Sequence, residues 1–569
     1  PAKSHTMRND YELDSNPGSC DAPIPIIRKY DENHPYEFEW RAPPQVEGLT
    51  LGPAMRQLEK RAPFPASYFP PHISVNACYV FDQCGMKAER VELLSKYQRS
   101  WVTQDSLRKS TLGYSHVKYA PAFNDSRLDE AIEFVRDEFV HALKEPLKSW
   151  TIEKVMKEGD MPKNTSPGLP YIQQGYRSKA DVWKDHHQDI EEEHIRIREG
   201  YRPRTPDCAA FARSIVCEKP KNKVRLVWAY PLEQVLLEAK YVQPLLQAMT
   251  SQKIGQTVAY GAETMRGGME WLNTELHSLP RQNYICIDFS SFDQTVPAWL
   301  IRIAFDILEE CFTTTEVEDV NGRIVKTNDR VVAREWRQIK HYFINTPLRM
   351  EDGTRYEKTG GVPSGSCFTN IVDSIVNMIV MRYVLMSTAG EWPNFLTVLG
   401  DDSVTATTGL VNLNDMAQVA KDKFGMIINV EKSYWTQYIG NVQFLGYYNH
   451  HGYPARDEDT LLAGLLLPDS SVDESLALTA ARFLGISQAS CGASRACIKL
   501  TKYLFRELER RGKNFVVDAQ KLYHIQKAGG WLPAAGEKPE PLPAVPFLEY
   551  AVLPKHSCEK LKQGIRLAR

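Results

Sequence analysis

Apolar residues along this chain recur in two rhythms, helical stripes and short strand-like runs, separated by turns rich in Gly, Pro and Asn. Leu128, Ile132, Phe134, Val135, Phe139 and Leu143 fall at helical spacing and predict a helix over 128–147. Leu232, Val235, Leu236 and Ala239 predict a second over 232–249, and a third is expected over 298–310. The most apolar stretch, 371–386, follows the flexible loop Gly360-Gly361-Val362-Pro363-Ser364-Gly365-Ser366. Apolar residues at 368, 371, 372, 375, 376, 379 and 380 make a buried stripe there, while Thr369, Asp373 and Asn377 stand at i, i+4 and i+8 on another face. Polar residues in so apolar a helix either touch a bound ligand or satisfy a neighbouring loop. Asp373, Asn377 and Arg382 also argue against a membrane span.

Between Phe395 and Val404 the pattern changes to strand, tight turn, strand, with Gly400 at the turn and Asp401 and Asp402 at its tip. Adjacent carboxylates repel unless a cation lies between them, so this tip suggests a divalent metal; the alternative is a solvated Asp-rich turn. A second acidic site follows the apolar run Tyr284-Ile285-Cys286-Ile287, which ends in Asp288 and continues through Phe289-Ser290-Ser291-Phe292 to Asp293. A carboxylate at a strand end facing a carboxylate pair on a hairpin is what a two-metal phosphoryl-transfer site needs. Further on, a helix over 414–424 stopped by Gly425, a strand over 426–430 leading to Lys432, and a tight hairpin at 443–447 are expected. Two amphipathic helices fill 472–511, the second dense in cations (Arg495, Lys499, Lys502, Arg506, Arg510, Arg511).

Lys219, Lys221, Lys223 and Arg225 alternate after Arg213, so on a strand they would line one face. Such a ribbon either holds a triphosphate or nucleic-acid backbone, or protects an edge strand. Asn164-Thr165-Ser166-Pro167-Gly168-Leu169-Pro170-Tyr171 forms a rigid loop, 179–193 a solvated helix face, and 313–335 an excursion from the core. Residues 1–75 are polar and Pro-rich, an extended arm laid over a body. At 569 residues several subdomains are expected, and a net charge of −2 offers no global basic field, so any nucleic acid must be held by local basic surfaces. The eleven cysteines include no CxxC pair and suit buried thiols in a reducing compartment. The chain opens Pro-Ala-Lys without Met or a signal-peptide pattern, and loss of a few leading residues is expected.

Taken in order, these pieces resemble a viral RNA-dependent RNA polymerase over roughly residues 160–490. Tyr342-Phe343-Ile344-Asn345-Thr346-Pro347, Gly361–Ser366 with Phe368-Thr369, and Val296-Pro297-Ala298-Trp299-Leu300-Ile301 are most similar to partitivirus polymerases, whose genomes are bisegmented double-stranded RNA. Picobirnavirus polymerases are the nearest alternative. Asp373 stands where positive-strand enzymes usually carry Asn, which fits the double-stranded RNA groups.

The resemblance implies an α/β (α+β) right hand whose palm is an antiparallel sheet with helices. Residues 1–125 would be an N-terminal arm bridging fingers and thumb, and 126–285 the fingers with segments contributed to the palm. Residues 286–450 would be the palm with a fingers excursion at about 311–350, 451–532 the thumb, and 533–569 a Pro-rich tail. It implies Mg²⁺, with Mn²⁺ as a substitute, on Asp288, Asp401 and Asp402, and Lys432 as general acid for pyrophosphate departure. Arg213, Lys219, Lys223 and Arg225 would hold the triphosphate, and Asp293, Ser364, Gly365, Thr369 and Asp373 the nucleotide and its ribose. Thr165, Ser166 and Gly168 would guide template, and Phe444, Leu445 and Gly446 grip the growing strand. The implied partners are template and nascent RNA, a double-stranded RNA genome, NTPs and a capsid protein, with a monomeric polymerase working off the membrane, inside a virion in the host cytoplasm. A reverse transcriptase shares the palm, but Leu399-Gly400 and Asp293 argue against it; a silent RNA-binding capsid component would not need a repulsive carboxylate cluster.

Overall fold

The structure, a computed structural model, describes residues 26–28, 39–41, 46, 48–66, 68, 71–117, 125–252, 254–469, 476–510 and 560. The expected tail 533–569, apart from Lys560, the end of the expected thumb and most of the first 45 residues lie outside them.

The sheet that matters for function has four antiparallel strands in the order Phe395–Leu399, Asp402–Thr407, Asn283–Cys286, Tyr434–Thr436. The helix Thr369–Ala389 packs against the first of these strands and is itself surrounded by Ser126–Arg136, Ala298–Glu310 and Leu413–Phe424. Every residue from Ile371 to Leu385 is buried, so the apolar stripe read from sequence is a whole circumference. The helix is long and apolar enough to cross a membrane, but 83% of its most apolar window is buried inside the protein, as in a central core helix. Each large side chain so buried contributes about 1.5–3 kcal/mol, which anchors the one element that must also carry polar groups.

A five-stranded sheet runs Met55–Leu58, Arg355–Lys358, Pro347–Arg349, Cys208–Ser214, Val224–Ala229. The cation ribbon is therefore not one strand. Val216–Glu218 pairs elsewhere, with Tyr97–Arg99, and 219–223 is a connector between strands. The helix expected over 128–147 ends at His141 after a wide final turn, and Leu147 opens the strand Leu147–Trp150. Pro146 bars continuation to 147, since it has no N–H to donate and its ring would clash with the carbonyl four residues back. Within 313–335, residues 313–331 hold no buried side chain, and the segment is tied to the body at both ends. Phe312–Glu318 pairs in parallel with Leu147–Trp150, and the helix Asp329–Ile344 buries Trp336, Ile339 and Phe343 in the main core.

Three helices not read from sequence, Val75–Gln83, Lys87–Lys96 and Gln104–Gly113, follow the Pro-rich stretch. The first two share a core with Glu458–Leu466, Leu476–Ala489 and Arg495–Arg510. Arg99 ties three segments together: its guanidinium donates to Leu467 O at 2.9 Å and to Ser214 O at 3.2 Å. Residues 48–117 therefore touch both the five-stranded sheet and the C-terminal helices.

Candidate active site

The strands Phe395–Leu399 and Asp402–Thr407 pair in register down to Leu399 opposite Asp402, leaving Gly400 and Asp401 as the turn. Gly400 has φ 61°, a left-handed conformation that costs glycine nothing. The central helix grips this turn. Gly400 N–H donates to Ser374 Oγ at 2.9 Å, and Asn377 Nδ2 donates to the carbonyls of Gly400 and Asp402 at 3.0 and 3.2 Å. Asn377 thus satisfies a neighbouring loop through its amide nitrogen, while its Oδ1 is buried with no hydrogen-bond partner. Ser374, which the helical stripe gave no reason to single out, shares the task.

The pairing with the strand Asn283–Cys286 ends at Val404 opposite Cys286, and Asp288 follows two residues beyond, close enough for its carboxylate to bear on both Asp401 and Asp402. The backbone of Asp288 is held from the other side, its N–H donating to Ser433 Oγ at 2.9 Å and its carbonyl accepting from Asn429 N–H at 2.8 Å. Lys432 is exposed on that same turn. Asp288 and the adjacent pair Asp401 and Asp402, far apart along the chain, therefore meet at one end of two adjacent strands. Asp401 is reached by solvent yet surrounded closely enough by protein that burial raises its carboxyl, with the Arg225 guanidinium opposing. Asp402 is pushed up to about 6 by burial and by the Asp401 and Asp288 carboxylates. These are the electrostatics of acidic oxygens collected without enough counter-charge, a donor set that suits a hard divalent cation such as Mg²⁺.

Asp293 and Asp373 come together beside this cluster, within hydrogen-bonding reach of each other. Asp373 is 6% exposed, one of its oxygens has no partner, and burial followed by the charge of Asp293 holds its carboxyl well above the usual range. Burial, with Asp401 adding to it, raises Asp293 as well, opposed by Asp373 and Arg225. Burial disfavours charge on both members of the pair, most strongly on the more deeply buried Asp373, where the Asp293 carboxylate adds to it.

Arg225 stands directly opposite Arg213 on the neighbouring strand, and both are exposed. Like charges opposite each other on a sheet are unfavourable unless an anion lies over them. Lys223 is exposed on the connector, whereas Lys219 donates to Leu94 O at 2.8 Å and serves to hold the helix Lys87–Lys96. A cavity of about 810 Å³ opens beside Arg213, lined also by Arg99, Ser100, Phe211 and Pro468.

The loop after Gly360 is bonded throughout. Ser364 Oγ, exposed, accepts from Trp228 N–H at 3.1 Å, and Thr369 Oγ1 donates to Pro363 O at 2.6 Å. A Cβ on Gly365 would lie 1.7 Å from Trp228 O, so only glycine fits. Gly365→Ala should lower stability by about 2 kcal/mol or more through backbone displacement, read as a lowered Tm.

In the expected template loop, Thr165 and Ser166 are half-exposed and held by Lys179, whose Nζ donates to Thr165 Oγ1 at 2.6 Å and to Ser166 O at 2.8 Å. Gly168, by contrast, is buried, with φ 75° and Tyr230 O only 2.6 Å from where a Cβ would sit, so it shapes that loop and does not touch RNA. Phe444 is likewise buried, leaving Leu445 and Gly446 (φ 53° and 80°) as the surface turn between Gln443–Phe444 and Tyr447–His450.

Elsewhere, among the described residues, Glu133, Asp137 and His141 bring ligand atoms within 4.8 Å of one another, close enough to hold a metal ion. They lie near the surface, where Arg136 already pairs with Glu133 at 2.8 Å and His141 with Asp137 at 2.6 Å.

An antiparallel sheet presenting carboxylates at one end, backed by a buried helix and with Arg225 close enough to bear on Asp401, is the arrangement expected of the right-hand polymerase fold. The family model described as viral RNA-dependent RNA polymerase matches residues 86–502, and the chain belongs to that family. It is 27% identical to the RNA-directed RNA polymerase of Cryptosporidium parvum virus 1 over 60% of this chain and 62% of that one. It is also 27% identical to that of Atkinsonella hypoxylon virus, over 52% and 50%. The chain thus spans about half to three-fifths of the length of these relatives. The crystal structure of a human picobirnavirus RNA-dependent RNA polymerase superposes with a TM-score of 0.53 at 16% identity, covering 86% of this chain and 90% of that one, which shows a shared fold.

Proposed function

We propose that this chain synthesises RNA on an RNA template from NTPs, transcribing and replicating a viral double-stranded RNA genome. The observation that carries the reading is the meeting of Asp288, Asp401 and Asp402 at one end of adjacent strands, with Arg225 close enough to bear on Asp401. Asp288, Asp401 and Asp402 would hold Mg²⁺, or Mn²⁺ in its place, which when bound supplies charge stabilisation for attack by the 3′-hydroxyl and departure of pyrophosphate. Arg225, Arg213 and Lys223 neutralise the triphosphate. Lys432, on the turn that grips Asp288, donates a proton to the leaving pyrophosphate. Asp293 accepts the ribose 2′-hydroxyl, with Asp373 orienting it and Ser364 and Thr369 shaping the loop beside it. Thr165 and Ser166 guide template, and Leu445 and Gly446 support the growing strand.

The proposal includes the division into fingers (126–285), palm (286–450) and thumb (from 451), with residues 1–125 bridging fingers and thumb. Contacts of 48–117 with both ends support that bridge. It also places the enzyme as a monomer in the virion interior, in the host cytoplasm, beside capsid protein.

Purified protein, single-stranded RNA, Mg²⁺ and labelled nucleotides, with and without a primer, test the activity. Template-length RNA product is expected; product made only from dNTPs would favour a reverse transcriptase, and RNA binding without product a silent binder. Arg225→Ala should raise the apparent KM about tenfold for all four NTPs together, because phosphate contacts carry no base information. A defect confined to one base would remove Arg225 from the triphosphate.

A further inference from the structure

The loop 360–367 leads from the strand Arg355–Lys358 to the helix Thr369–Ala389, bonds the backbone of Asp293 and runs into the helix that carries Asp373. Gly361 and Val362 N–H donate to the carbonyls of Val296 and Asp293 at 2.9 and 2.7 Å, and the far end of the loop enters the helix one turn before Asp373. Two ionisable side chains without solvent access hold its ends.

At the near end Lys358, 0% exposed, donates from Nζ to the carbonyls of Phe343, Ile344 and Gly361 at 2.5, 2.9 and 3.0 Å. Phe343 and Ile344 close the helix Asp329–Ile344, so one ammonium caps that helix and grips the loop. At the far end Glu238, also 0% exposed, accepts the Ser366 hydroxyl at 2.9 Å and the Cys367 N–H at 3.3 Å. Burial drives Lys358 well below the usual lysine range and raises Glu238 to about 8. Apolar residues of similar size avoid that desolvation cost, so stability alone does not account for an ionisable group at either end.

We propose that Lys358 and Glu238 are positioning residues that hold the loop 360–367 at its two ends, and that the choice of ribose at Asp293 and Asp373 depends on them. Lys358 acts on Asp293 through Gly361 and Val362, and Glu238 acts on Asp373 through Ser366 and the start of the helix. The inference rests on the polymerase reading above.

The test is single-nucleotide incorporation of matched NTP and dNTP by the full chain and its Lys358→Met, Glu238→Ala, Glu238→Gln and Ser366→Ala variants. Lys358→Met and Glu238→Ala should each shrink the NTP/dNTP ratio of kcat/KM by about fivefold or more, chiefly through a higher KM for NTP. Glu238→Gln should stay within about twofold of the parent, because its amide oxygen still accepts from Ser366 and Cys367. An unchanged ratio in folded Lys358→Met or Glu238→Ala, or an equal loss in Glu238→Gln, overturns the proposal. Should both larger changes prevent folding, Ser366→Ala decides: a smaller loss in the same direction supports it, and an unchanged ratio overturns it. A parent chain that makes no RNA defeats the polymerase reading itself, a result distinct from any of these.

Discussion

Asp401→Asn is expected to abolish nearly all RNA synthesis, lowering the rate by at least about 10²-fold in Mg²⁺, while the protein stays folded. The amide keeps the shape of the side chain and the turn, which is held through backbone groups by Ser374 and Asn377. It removes one charge from a cluster in which Asp402 is already raised by Asp401 and Asp288, so the melting temperature should hold or rise. A neutral amide oxygen is a weaker ligand for a hard cation than a carboxylate. Labelled-nucleotide incorporation and a thermal melt on the same preparation check both halves. A variant that keeps a substantial fraction of the parental rate would remove Asp401 from the metal site.

Asp293→Ala should reduce kcat/KM for ribonucleotides far more than for deoxynucleotides, shrinking the ratio by at least about tenfold. The 2′-hydroxyl is the donor that distinguishes the two sugars, and Asp293 has the acceptor capacity to meet it. Removing Asp293 also takes away the group within hydrogen-bonding reach of the buried Asp373. Asp373→Asn should do less, since an amide oxygen can still accept from the hydroxyl. Each NTP and dNTP pair is measured on one template. Equal losses for both sugars would reassign Asp293 to metal support or packing.

The local grammar of the chain was readable wherever one element satisfied itself. Strand, Gly400 turn and strand follow from residues within a dozen positions, as do the Gly425 helix stop (φ 70°) and the tight turn at Leu445-Gly446. The candidate aspartates were readable for the same reason: each sits where an apolar run meets a turn. The cation ribbon misled because alternation is a strand signal only if the backbone is extended, and 219–223 is a connector. The helix Asp329–Ile344 was missed because its many charges concealed Val332, Trp336, Ile339 and Phe343 at helical spacing.

Tertiary structure alone decided which of these groups act on one another. Asn377 could have faced a ligand or a loop, and only the packing of its helix against Phe395–Leu399 gave it the carbonyls of Gly400 and Asp402. Asp293 and Asp373, eighty residues apart, act on each other's ionisation because folding brings both into one low-dielectric place. Lys358 and Glu238 carry no motif at all: Glu238 reaches Ser366 from 128 residues away, and Lys358 joins nearby Gly361 to the end of the helix Asp329–Ile344 only because folding brings that helix beside it. Hydrophobic periodicity specifies what a segment buries, but hydrogen bonds and charges between distant segments depend on angles and distances that periodicity does not encode.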